Sequence, residues 1–103
     1  MLVPFPFSDL SRTKLRPAVV LADVGRGDWI LCQITSKSYA DDRAELLRDP
    51  DFARGSLQLD SYARPCKLFT AHQGLIAGEA GLLMPAATAR VIAAVVRLLQ
   101  PKP

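Results

Sequence analysis

Apolar and polar positions alternate in short blocks along this chain, and only the last block has a helical period. Leu2-Val3-Pro4-Phe5-Pro6-Phe7 is apolar and extended by composition. Pro4 and Pro6 have no N–H to offer a ladder, which predicts an edge strand or the rim of a barrel. Residues 8–15 are polar and basic and read as a loop. Arg16-Pro17 then opens a continuous apolar run, Ala18-Val19-Val20-Leu21, the pattern of a strand buried on both faces. Gly25 and Gly27 mark a turn, and Trp29–Thr35 is the next strand. A polar loop follows, with a short strand at Ala44–Leu47. Leu57, Leu59 and Ser61 alternate with Gln58, Asp60 and Tyr62, the period of a half-buried strand. Lys67–Thr70 reads as a further short extended piece.

The C-terminal block differs. Leu83, Ala87, Val91, Ala94, Val95 and Leu98 recur at spacings of three and four. This predicts one amphipathic helix of about four turns. Pro85 suits its first turn, Arg90 and Arg97 fall opposite the apolar stripe, and Pro101 ends it. The expected class is mostly β with a C-terminal helix.

Length and composition narrow the function. At 103 residues, with 50% hydrophobic and 22% charged residues, the chain (1–103) is expected to form a single globular domain. A dinucleotide-binding fold with a catalytic domain does not fit, nor does a TIM barrel. The longest apolar run, Val91–Val96, falls far short of the roughly 20 residues that span a bilayer. No signal-peptide pattern opens the chain, so a cytoplasmic protein is expected. Cys32 and Cys66 are not spaced as CxxC and read as reduced thiols in or near the core. His72 is the only imidazole, which leaves too few ligands for a zinc site and reads as an exposed turn histidine. No metal and no cofactor are expected. Any chemistry therefore rests on hydroxyls, carboxylates, Arg and Lys. The net charge of +3 is a weak sign of a polyanionic partner. Its distribution says more: Arg12, Lys14 and Arg16 cluster, and Arg64 and Lys67 form a second group. Five acids between Asp41 and Asp51 read as ordinary solvated surface.

With the strands placed, one constellation stands out. Val3-Pro4-Phe5-Pro6-Phe7-Ser8-Asp9-Leu10, followed by Lys14-Leu15-Arg16-Pro17-Ala18-Val19-Val20-Leu21, resembles the PemK/MazF family of type II toxin–antitoxin endoribonucleases. So does Cys32-Gln33-Ile34-Thr35-Ser36 and, more loosely, Ser61–Thr70 followed by Gly74-Leu75-Ile76. The resemblance covers most of the chain. It implies a small SH3-like twisted β-barrel with a C-terminal helix, assembled as a homodimer. It also implies metal-independent, sequence-specific cleavage of single-stranded RNA, and a cognate antitoxin protein that blocks the RNA groove. Many family members leave a 2′,3′-cyclic phosphate and a free 5′-hydroxyl.

Attack by a ribose 2′-OH on the adjacent phosphorus needs no protein nucleophile. It needs a cation for the charge developing on the phosphoryl oxygens and groups that orient the 2′-OH. Arg16 offers a planar fork that stays charged, and suits transition-state stabilisation better than proton abstraction. Thr35 matches the family's catalytic threonine. Taken alone, Arg16 reads as a surface cation and Thr35 as a β-former; the motif context reverses both readings. Ser8, Lys14, Ser36, Arg64 and Lys67 are candidate RNA contacts, each with a solvated-surface alternative. Phe7 or Phe69 could stack a base, although core packing is the simpler role.

The chain departs from the family pattern in two places. Residues that usually precede the first strand, often with a Gly-Asp pair, have no counterpart, and Ala71-His72 stands where an acidic position is common. Two rivals use the same barrel: a gyrase-poisoning toxin and a non-catalytic binding protein. The first resembles a group ending in a Trp-Gly-Ile type C-terminus, whereas this chain ends Leu98-Leu99-Gln100-Pro101-Lys102-Pro103.

Overall fold

The computed structural model describes residues 1–8, 13–37, 43–57, 59–76 and 78–100, with residues 7, 8, 13 and 14 described in backbone only. Within them lie β1 (Leu2–Ser8), β2 (Thr13–Gly25), β3 (Asp28–Thr35), β4 (Glu45–Leu47), β5 (Phe52–Gly55), β6 (Ser61–His72), β7 (Gly81–Leu83) and α1 (Pro85–Leu99). The strands form one seven-stranded sheet in the order β4-β6-β3-β2-β1-β7-β5, with every pairing antiparallel. No helix among the described residues is long and apolar enough to cross a membrane.

The connectivity forces this sheet to curl. Its two outer strands, β4 and β5, are consecutive in the chain and joined only through Arg48–Asp51. That connection reaches at most about 18 Å, whereas seven strands laid flat span about 29 Å. The sheet therefore rolls until its edges approach each other, which gives the half-barrel that the expected small barrel fold required.

Paired positions share a face of the sheet, and the two faces carry two cores. On one face Leu2, Val19, Cys32, Ile34, Ala63 and Leu47 are buried beneath Ala87 and Val91 of α1. On the other, Val3, Ala18, Leu31 and Ala71 are buried, with Phe5, Val20, Trp29, Phe69 and Ile76 packed against them. Phe5 and Phe69 meet there with ring centroids 4.8 Å apart and planes tilted by 53°, a favourable aromatic geometry. Phe69 is thus a packing residue.

One expectation is met and several are corrected. β1 pairs with β2 from Leu2↔Val19 to Ser8↔Thr13 but with β7 only at Leu2↔Gly81, so at Pro4 and Pro6 it is paired on the β2 side alone, as the expected edge requires. Its prolines are tolerated because Pro4 faces Pro17. Two residues without N–H groups can face each other only where both N–H positions point out of that ladder. Leu2, in the same phase, turns its carbonyl outward to accept from the Ala80 N–H at 2.8 Å. β1 runs to Ser8 and β2 begins at Thr13, so the expected loop over residues 8–15 fails at both ends; residues 9–12, Arg12 among them, lie outside the described residues.

The extended piece at Lys67–Thr70 is part of one strand, β6, which starts only at Ser61, so Leu57 and Leu59 lie outside any strand. Between Cys32↔Leu68 and Ile34↔Ala63, Gln33 alone faces residues 64–67, and this bulge is what admits Pro65 into a central strand. The buried Cys32 thiol donates to the Arg64 carbonyl there at 3.0 Å. Cys66, on the same bulge, is exposed rather than packed in the core; both cysteines are thiols.

α1 starts at Pro85, where a missing N–H costs nothing, and buries Ala87, Val91 and Ala94. Leu83 belongs to β7 instead. Its outward face is not the basic one expected: Ile92, Val96 and Leu99 are exposed. Arg90 swings to the flank, where its Nε donates to Glu45 Oε1 and its Nη2 pairs with Asp51 Oδ1, both at 3.0 Å. Two of the acids expected as plain solvated surface are therefore a clamp between α1 and the β4–β5 connection. Burial pushes the Asp51 carboxyl up, but the Arg48 N–H and the Arg90 guanidinium outweigh it and hold it below its ordinary value.

Candidate active site

Of the two residues singled out for chemistry, Thr35 ends β3 and Arg16 lies in β2 just beyond the last β2–β3 pair, and Pro17 explains why a cleft opens between them. Because Pro17 faces Pro4 in the β1–β2 ladder, its missing N–H lies on the β3 side. The β2–β3 ladder accordingly stops at Ala18↔Gln33. Continued by two residues, the same register brings Arg16 level with Thr35. The strands part there into a cleft of about 490 Å³ lined by Arg16, Pro17, Ile34, Thr35, Ser36, Lys37, Leu57, Leu59 and Ser61.

Each wall has a distinct origin. Arg16 is exposed and reaches the cleft from the first half of β2, where Phe5 of β1 is its pairing partner. Thr35 is half-buried at the end of β3, opposite Tyr62 of β6. Its Oγ1 accepts the Lys37 N–H at 3.2 Å. That bond occupies one lone pair and leaves the hydroxyl proton available to a ligand oxygen. Ser36 and Lys37 are exposed, continuing the polar wall. Ile34 forms part of the floor at 2% exposure. On the remaining side, the buried Ser61 hydroxyl donates to the Leu59 carbonyl at 3.0 Å, and the Leu59 N–H bonds the Leu57 carbonyl at 2.7 Å. Among the described residues, none that lines the cleft is acidic. A lining with a guanidinium, an ammonium and hydroxyls favours an anion.

The structure therefore brings together Arg16, Thr35 and Ser36 from the sequence candidates. Arg64 is half-buried and Lys67 exposed on the β6 bulge, and neither lines the cleft. The side chains of Ser8, Lys14 and Phe7 lie outside the described residues. Lys37, Leu57, Leu59 and Ser61 were not legible as site residues. The two leucines gave a signal, their alternation with polar neighbours, but it reads as a strand. His72 stands apart from the cleft, exposed at the end of β6, with its Nδ1 accepting the Gly74 N–H at 3.1 Å. Trp29 is half-buried in the second core. A second cleft of about 450 Å³ lies between β4 and the end of α1, lined by Arg43, Ala44, Glu45, Ala94, Arg97, Leu98 and Gln100. Among the described residues no three His, Cys, Asp or Glu side chains converge as metal ligands would.

No protein-family model and no curated protein matches the sequence. Solved structures do match the fold. A mycobacterial endoribonuclease in complex with its cognate antitoxin superposes with a TM-score of 0.70 at 16% identity, covering 98% of this chain and 95% of that one. A second mycobacterial endoribonuclease gives 0.70 at 17% identity, over 99% and 91% of the two chains. The Mycobacterium tuberculosis toxin MazF-mt6 gives 0.65 at 15% identity, over 91% and 93%. Over nearly its whole length, this chain has the fold of the MazF-type endoribonuclease toxins.

Proposed function

We propose that this chain is the toxin of a type II toxin–antitoxin pair and cleaves single-stranded RNA at short sequences without a metal. One observation carries the reading. Arg16 and Thr35, drawn from separate strands, line a single cleft, with no acid among its described lining residues, on a fold shared with endoribonucleases. The RNA supplies the nucleophile. Its 2′-oxygen forms a bond to the neighbouring phosphorus, the bond from phosphorus to the 5′-oxygen breaks, and the products are a 2′,3′-cyclic phosphate and a 5′-hydroxyl. The proton lost from the 2′-OH passes to solvent, and the departing 5′-oxygen takes one up. Arg16 places its fork on the phosphoryl oxygens as their charge grows. The Thr35 hydroxyl, held by the Lys37 N–H, donates to a phosphate oxygen or orients the 2′-OH.

A homodimer and a cognate antitoxin that occupies the RNA groove complete the proposal. The antitoxin partner is supported by the fold-sharing endoribonuclease solved with its own. The chain is expected to act in the cytoplasm, where RNA and antitoxin meet. The deciding experiment incubates purified protein with a long RNA in EDTA and maps the cut ends. Cuts at a recurring short sequence, carrying 2′,3′-cyclic phosphate and 5′-hydroxyl ends, are the expected result. Intact RNA with folded protein refutes the enzyme reading.

A further inference from the structure

The cleft divides by chemistry, and only half of it is used by the reaction proposed above. Arg16, Thr35 and Ser36 serve the scissile phosphate, while Lys37, Leu57 and Leu59 line the same cleft without a role in bond breaking. Leu59 is 67% exposed, the most exposed apolar side chain of the lining. Its N–H bonds the Leu57 carbonyl and its carbonyl accepts the Ser61 hydroxyl, itself buried. A large exposed apolar side chain in a cationic cleft offers area that a ligand gains by covering. Leu57, half-buried, packs against the α1-covered core and lines the same cleft.

We infer that Leu59, which lines the cleft together with Leu57 and Lys37, forms a nucleotide subsite next to the scissile phosphate. The face of one base packs on Leu59 and the phosphate of that nucleotide pairs with the Lys37 ammonium. This rests on the RNA-cleaving reading and adds the element that grips a flanking nucleotide. The partition of the cleft supports RNA as the occupant. A nucleotide presents an apolar face and a fixed negative charge a few ångströms apart, and the described lining of this cleft offers apolar side chains and cations but no carboxylate. A leucine carries no hydrogen-bonding group, so the subsite rewards the area of the base rather than its edge, and a purine fits it better than a pyrimidine. The second cleft does not have this division, because Glu45 lines it and is engaged with Arg90.

The test uses the full chain and a short RNA containing one cleavage site, with single abasic substitutions scanned along the nucleotides around the cut. Leu59→Ser is expected to raise KM about tenfold, with the loss in KM rather than kcat. At one flanking position, the abasic RNA should cost the wild-type chain a similar factor and cost Leu59→Ser little more, since both remove the same contact. Lys37→Ala should lower the slope of log KM against log salt by about 0.7, the share of one phosphate on a single strand. A parallel binding titration uses the same RNA with a 2′-deoxy nucleotide at the cut, so the subsite is read without cleavage. If RNA is bound with this pattern but never cut, the catalytic reading fails and the subsite stands. If RNA is cut and the Leu59 and abasic losses multiply at every position, the subsite fails alone. Unchanged RNA kinetics in Leu59→Ser, with weaker inhibition by the antitoxin, overturns it in favour of a protein contact. Leu59 is exposed, so loss of fold does not confuse the result.

Discussion

Thr35→Val is the most direct test of the proposed chemistry, because it removes one hydroxyl and almost nothing else. Valine keeps the β-branched shape at the end of β3, and strands favour it. The structural cost is the bond from the Lys37 N–H to Thr35 Oγ1, which is exposed, so water replaces the lost acceptor. Such a bond contributes about 1 kcal/mol. The better packing of valine offsets part of that, and the melting temperature is expected to fall by no more than about 5 °C. The chemical cost is far larger. A preorganised donor to a phosphate in flight contributes about 3–4 kcal/mol, so kcat should fall about 10²–10³-fold. Thr35→Ser keeps the hydroxyl and the acceptor, and should stay within about tenfold of the parent. The assay is single-turnover cleavage of an end-labelled RNA in EDTA, run beside a circular-dichroism melt. A Thr35→Val chain that melts normally and cuts within threefold of the parent rate refutes a role for this hydroxyl.

Three other outcomes follow from the structure. Arg16→Lys keeps the charge and loses the bidentate fork, so cleavage should fall about 10-fold or more while Arg16→Ala loses more still; equal rates for Lys and Arg in gel assays contradict the role assigned to the fork. The Asp51 carboxyl is held below its ordinary value, so its contribution is present above the usual carboxylate range near 3.9 and lost as pH falls through its lower folded value. Urea melts should show wild-type stability declining over that acid window, and Asp51→Asn, less stable at neutral pH, declining less. Arg26 adopts φ 58° between Gly25 and Gly27, at the first central position of a two-residue hairpin turn. Asparagine tolerates that conformation, so Arg26→Asn should raise stability by about 0.5–1 kcal/mol in a denaturant titration; a loss there means the arginine side chain makes a contact that outweighs its backbone strain.

Much of the fold was written in local patterns. The apolar run after Arg16-Pro17, the two glycines and the three-four spacing from Ala87 to Leu98 each depend on neighbours within one element. They predict β2, the hairpin and α1 nearly in place. β5 and β7 left no such mark, because Phe52–Gly55 and Gly81–Leu83 are too short for a period and are strands through pairing with each other and, for β7, with Leu2 of β1. Pro4 and Pro65 point the other way. Locally each argues against a strand paired on both sides; Pro4 sits where β1 pairs on its β2 side alone, and a bulge opposite Gln33 admits Pro65.

The site divides along the same line. Arg16 and Thr35 were legible because a motif carries them, and motifs survive in sequence order. That they share a cleft was decided by register, which depends on which N–H groups two strands can exchange. Leu57 and Leu59 line the cleft beside Arg16 and Thr35 through tertiary contact alone, whereas Lys37 reaches it by following Thr35 in the chain. What the chain determined by itself was the kind of element each segment forms, since period and φ preference act over a few residues. Which side chains meet was settled only by closure of the sheet, because contacts between distant segments have no local signature.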